Sequence, residues 1–152
     1  MLPIDVAELS KAMLTAILTI FGGVIVFATG QFIEKFFVAP LDRFRRTLGD
    51  LAFNMIYFAN IYTNPSNNVD ETRLALLHKL RNLAARLISD SYAINGYWVL
   101  SLFKFIPPRK QVNEAANKLI MLSNSISDGD VLAIDQWRKD ISSLLRLRIF
   151  GD

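Results

Sequence analysis

The sequence predicts an all-α protein, with one N-terminal transmembrane helix followed by a cytoplasmic helical bundle of about four to five helices. Three observations predict it. Residues 12–33, between Lys11 and Glu34, hold no charge and no proline. Beyond Pro40 the apolar residues recur at steps of three and four, the period of one helix face. No stretch alternates with period two over a bounded strand length. A hydrophobic share of 52% beside a charged share of 20% fits one greasy element joined to an amphipathic domain. A length of 152 residues leaves room for one domain with its own core.

The uncharged segment is a membrane span by length. Its 22 residues rise to roughly 33 Å as a helix, against a bilayer core of ~30 Å. A secretory signal would need a basic start and an apolar run of about 7 to 15 residues. Here "MLPIDVAELSK" sets Asp5 and Glu8 against Lys11, and the run is too long. The remaining alternative is a buried helix of a soluble protein. The segment after the span carries Lys35, Arg43, Arg45 and Arg46, whereas Lys11 alone precedes it. The positive-inside rule therefore places the N-terminus outside and the C-terminal side in the cytoplasm. The expected organisation is a short external segment over 1–11, a transmembrane helix over 12–38 and a cytoplasmic bundle over 40–152.

Within the span, Thr15, Thr19 and Gly23 recur every four residues, with Ala12, Ala16, Gly22 and Gly30 on the same side. Small residues let membrane helices approach closely, so this face predicts a homo-oligomer. In a ring of copies the same face would line a pore. A packing seam and a lumen read alike at this stage.

The bundle begins with Leu41, Phe44, Leu48, Leu51, Met55, Phe58 and Tyr62, an unbroken a/d seam. "NIYTNPSNNVDET" stops that helix, and Asp70 or Thr72 is placed to cap the next. The second stripe is Leu76, Leu80, Leu83 and Leu87; the third, after "PPRK", is Val112, Ala115, Leu119, Leu122 and Ile126. "SDGD" ends that helix. A last helix from Asp130 is expected to bury Ile134, Trp137, Ile141 and Leu144 or Leu145, leaving Arg138, Lys139, Arg146 and Arg148 outward. "YAINGYWVLSLFKFIPP", residues 92–108, is apolar on nearly all sides and too short to span. The preferred reading is a central helix surrounded by the bundle. The alternative lies in the membrane interface, with Tyr97 and Trp98 at headgroup depth and Lys104, Arg109 and Lys110 reaching phosphates.

Little in the chain points to catalysis. With no cysteine and one histidine there is no disulfide, no thiolate site and no multi-histidine metal cluster, and no cofactor is expected. No Gly-rich phosphate loop or serine elbow occurs. A net charge of +3 is too weak a bias to make nucleic acid an expected partner. The partners expected are the lipid bilayer, further copies of the chain and a cytoplasmic protein. The cluster Lys35, Arg43, Arg45 and Arg46 either marks topology or draws the first cytoplasmic helix to anionic lipid, at about 1 kcal/mol per residue.

Three resemblances add to this reading. Arg73 and His78 in "RLALLH" have a spacing similar to the Arg-x4-6-His motif of the helical HEPN ribonucleases. That likeness implies that Arg73 and His78 act on RNA, although Leu74 stands where the family carries a polar residue. "YFANIYTNP", residues 57–65, and "PPRKQVNEAANKLIMLSNSI", residues 107–126, resemble small bacterial membrane proteins with one span and a helical domain. Their location implies the bacterial inner membrane. The layout is also similar, more remotely, to the membrane accessory proteins of type VI-B CRISPR systems, which implies a ring-shaped pore acting in antiviral defence. The expectation is thus a single-pass homo-oligomer whose cytoplasmic bundle assembles or gates a membrane complex. A membrane-tethered interaction module without conductance and a membrane-anchored ribonuclease are the alternatives.

Overall fold

A computed structural model describes residues 6–63, 70–126, 131–147 and 149. All the regular structure in them is helical. An apolar helix α1 (Val6–Ile33) passes through one π turn (Glu34–Val38) directly into α2 (Ala39–Tyr57). There follow α3 (Ala59–Thr63), α4 (Glu71–Ala93), α5 (Tyr97–Leu102), α6 (Arg109–Ser125) and α7 (Val131–Leu145). The first residues of the external segment, the 64–69 loop, the "SDGD" stop with Asp130, and Arg148 lie outside the described residues.

The sequence suggests a boundary at Ala39–Pro40, yet residues 7–57 form one helix of 51 residues. Proline inside a helix lacks an N–H, and its ring collides with the carbonyl four residues back. The π turn absorbs both effects by letting the Ala39 N–H donate to the Glu34 carbonyl, five residues back. The Phe36 carbonyl, which Pro40 would otherwise have served, accepts from Asn95 Nδ2 at 3.2 Å. A side chain from the bundle therefore closes the gap that Pro40 opens.

The bundle helices run antiparallel in sequence order. Thr47 Oγ1 donates to Asp90 at 2.6 Å, and Arg86 pairs with Asp50, fixing α2 against α4. Arg81 donates to Asn124 and Arg109 to the Ser91 carbonyl, fixing α4 against α6. Lys118 and Asp140 join α6 to α7 at 2.7 Å. Phe44, Leu51 and Met55 of the first stripe are fully buried, and all members of the second and third stripes are buried. Burial of one such side chain stabilises by roughly 1.5–3 kcal/mol. Asp70 caps α4 by accepting from the Arg73 N–H at 2.8 Å.

Three expectations are corrected. The first seam is not one helix to Tyr62, because Phe58 (φ −96°, ψ 22°) leaves helical geometry and α3 starts anew. Arg138, expected outward, is 6% exposed. It occupies the core phase of α7 between Ile134 and Ile141. There its Nη2 donates to the Met55 carbonyl at 3.1 Å, near the C-terminus of α2, and its guanidinium stacks on Tyr62 at 4.8 Å. Cation and partly negative helix end compensate each other. Finally, residues 92–106 are not surrounded: Ile94, Tyr97 and Ile106 are buried, but Trp98, Leu102, Phe103 and Phe105 are exposed.

Candidate functional site

Because the four long bundle helices alternate in direction, the start of α2, the end of α4, the start of α6 and the end of α7 share one end of the bundle. That end is where α1 leaves. The candidate site consists of α1, the joint below it and this end of the bundle.

None of the most apolar window of α1, with mean hydropathy 2.2, is buried. By length and composition the helix is able to cross a membrane. Thr15 Oγ1 donates to the Lys11 carbonyl at 2.9 Å and Thr19 Oγ1 to the Thr15 carbonyl at 2.8 Å. Both hydroxyls are satisfied within their own helix, so neither needs a partner helix to spare it burial in lipid. A Cβ on Gly22, Gly23 or Gly30 would meet nothing within 4 Å. The small-residue face therefore offers close approach rather than a hydrogen-bonding ladder.

The joint is held by the tip between α4 and α5. Gly96 takes φ +67°, a left-handed conformation that side chains oppose, and its Cβ position lies 3.8 Å from the Phe37 ring. Asn95 beside it holds the Phe36 carbonyl. Tyr97 follows, packing its ring edge-on to Phe44 and donating its hydroxyl to the Pro107 carbonyl at 2.6 Å. Burial pushes the Tyr97 phenol up to about 12, against the lowering pull of Arg109. The phenol is thus neutral and brings no negative charge.

From the same end projects an apolar surface. Trp98 is 73% exposed, with Leu102, Phe103 and Phe105 also bare. Lys104, between the two phenylalanines, has φ +61°, a conformation costing roughly 1–2 kcal/mol for a residue with a Cβ. Its N–H donates to the Ser101 carbonyl, and its own carbonyl accepts from Arg146 Nη1 at 3.1 Å. The turn so fixed leaves the Phe103 and Phe105 rings 6.5 Å apart, both facing out. Aromatic rings flanked by cations on the outside of a bundle match the composition of a membrane–water interface.

A groove of about 670 Å³ opens beside α5, lined among others by Tyr92, Asn95, Tyr97, Trp98, Leu102 and Arg109. The Arg109 guanidinium lies 4.9 Å from the Tyr92 ring centre and 4.7 Å from that of Tyr97. Its hydrogen bond to the Ser91 carbonyl is long at 3.4 Å. No carboxylate among the described residues pairs with it.

The basic residues Lys35, Arg43, Arg45 and Arg46 are exposed at this same end, with Arg46 paired to Asp42 at 2.7 Å. Arg73 and His78 lie elsewhere. They start α4 at the opposite end of the bundle, Arg73 half-buried and His78 exposed. Five residues of helix turn them about 140° apart, so one chain does not aim both at a common point. Among the described residues no group of three metal-ligating side chains forms.

The sequence reading singled out neither Asn95 nor Gly96, and it placed Arg146 outward without its contact to Lys104. An "NG" pair carries a turn signal that could have broken the 92–108 run, but not the contact, since the orphaned carbonyl it meets lies 59 positions away. Comparison with known proteins finds no family model, no curated protein and no solved structure that matches this chain.

Proposed function

We propose a single-pass, homo-oligomeric membrane protein whose helical domain assembles or gates a membrane complex. The observation that carries this reading is the one-piece helix over 7–57, uncovered in its apolar half and built into the core in its second half. A flexible linker would tether a domain. An unbroken helix instead transmits rotation and tilt of the span to α2, and through α2 to α4. The Asn95 and Gly96 contacts stiffen that connection at its weakest point, the π turn. The exposed aromatics and cations around the joint support a bundle seated against a bilayer, with the C-terminal side at the more basic surface. Self-association rests on the Gly22, Gly23 and Gly30 face, where backbones are free to approach.

The absence of cysteine makes the test direct. Single cysteines placed at Gly22, Gly23 or Gly30 are expected to form disulfide-linked dimers in membranes, whereas cysteines at Ile17 or Val24 on the opposite face are not. Crosslinking that ignores the face, or none, defeats the oligomer. Native mass spectrometry of the nanodisc complex then separates forms of the proposal. A ring of about six or more copies leaves room for a lumen between single helices, the pore that the remote resemblance implies. A dimer confines the protein to assembling a complex.

A further inference from the structure

We propose that the groove beside α5 binds the phosphate headgroup of an anionic lipid, a claim that rests on the membrane reading above. The ligand chemistry is a phosphate ester carrying apolar chains. Arg109 supplies the cation, and it is held in place: its guanidinium lies 4.9 Å from the Tyr92 ring centre and 4.7 Å from that of Tyr97, and the Ser91 carbonyl accepts a hydrogen bond from it at 3.4 Å. A guanidinium with no carboxylate partner among the described residues, lining an open groove, suits a phosphate oxygen. Ser101 adds a hydroxyl to the lining, and Asn95 is committed to the Phe36 carbonyl. The lining also includes Trp98 and Leu102, both largely exposed.

A lining that joins a cation to exposed apolar side chains selects a lipid over free phosphate. A free anion would satisfy Arg109 and leave Trp98 and Leu102 in water, whereas a phospholipid covers both. The location agrees, because the groove sits at the end of the bundle where α1 emerges, with Asn95 and Gly96 in contact with the last turn before α2. A lipid lying beside the span reaches this groove without leaving the bilayer. Its phosphate would then clamp the joint from outside.

The test uses the full chain in a neutral detergent, with Trp137→Phe so that Trp98 is the single fluorescent reporter of the two tryptophans. Dihexanoyl phosphatidylglycerol is expected to change Trp98 emission saturably. Arg109→Gln should weaken that response roughly tenfold, as loss of a charge-assisted pair does. Leu102→Asp, at an exposed position that leaves folding undisturbed, should weaken it as well. Inorganic phosphate should not reproduce it. Saturation by inorganic phosphate at the lipid's concentration would mean a free-anion site and overturns the proposal, as does a lipid response that neither variant alters. Alkaline carbonate extraction of membranes carrying the same chain separates the two levels of failure. A chain released by carbonate overturns the membrane reading and this one with it. A resistant chain without a saturable lipid response overturns this one alone.

Discussion

The two halves of the helix over 7–57 differ in how many large apolar side chains they carry and, more sharply, in how they arrange them. In α1 they point everywhere: Leu14, Phe21 and Ile25 on one side are as uncovered as Val26 on the other. In α2 they form a stripe, with Phe44, Leu51 and Met55 buried while Arg43, Arg45 and Arg46 face out. A helix apolar all round needs an apolar surrounding on every side; a striped one needs protein on one side and water on the other. The pattern thus changes along one backbone, and the change falls at the π turn. The first half is long and apolar enough to cross a membrane, and it differs from the second both in the amount of apolar surface and in its distribution around the helix.

The largest effect should come from breaking the apolar half. Phe21→Arg combined with Val24→Arg adds about 2.5–3.5 kcal/mol per charge at the centre of a span. The chain is then expected to move into the supernatant of alkaline carbonate extraction. The matching pair in the striped half, Phe53→Arg with Ile56→Arg, falls on exposed positions. It should change stability by no more than about 0.5 kcal/mol and leave the chain in the pellet. Equal outcomes for the two pairs would remove the distinction between the halves.

Phe44→Ala comes next and acts in the opposite sense. Phe44 is fully buried, and its truncation should cost about 3–5 kcal/mol of bundle stability. Thermal melting of the detergent-solubilised chain should show the loss, while carbonate extraction still leaves the chain in the membrane fraction. Release from the membrane would mean that the span is not independent of the bundle.

The comparison also marks what the sequence discloses. The stripes of α4 and α6 were legible residue by residue, because Leu76 to Leu87 and Val112 to Ile126 keep one phase over many turns. The uniform apolarity of α1 was equally plain. Arg138 was misread because residue type outweighed phase. It stands four after Ile134 and three before Ile141, where any side chain must turn inward, and the partners it finds on α2 and at Tyr62 help to make that tolerable. Residues 92–106 were misread for a related reason. A run that is apolar on all sides says nothing about which side is covered, and the cover depends on where Asn95 and Gly96 dock. Of the candidate site, the basic residues and the small face could be named in advance. The joint could not, since it depends on a carbonyl that one proline leaves bare and a side chain from another helix pair satisfies.

Smaller effects test the joint itself. Asn95→Ala removes one hydrogen bond to the Phe36 carbonyl, worth about 0.5–1.5 kcal/mol, and should speed amide hydrogen exchange in the π turn with little change in melting. Pro40→Ala restores an N–H in register for the same carbonyl. In that background Asn95→Ala should no longer speed exchange, a coupling that a double-mutant cycle reads directly. Additive effects would show that Asn95 and Pro40 act separately.

The smallest effect distinguishes the halves by acid. Residues 12–33 contain no ionisable side chain, so falling pH has nothing to titrate in the apolar half. In the bundle, the hydrogen bond from Lys118 at 2.7 Å holds the Asp140 carboxyl below its ordinary range, and Gln136 adds a second. A carboxylate whose folded pKa is depressed contributes fully above its unfolded value of about 3.9 and loses that contribution as pH falls through the folded one. For a partly exposed pair the amount is about 0.2–1 kcal/mol. Melting midpoints measured from neutral pH down to about 2 should therefore fall less steeply for Asp140→Asn than for the unaltered chain, while co-sedimentation of the chain with vesicles stays constant over the same range. Parallel curves would mean that Lys118 and Asp140 merely lie close together. A loss of co-sedimentation at low pH would be more serious, because it would tie the anchoring of a segment without titratable groups to the folding of the bundle.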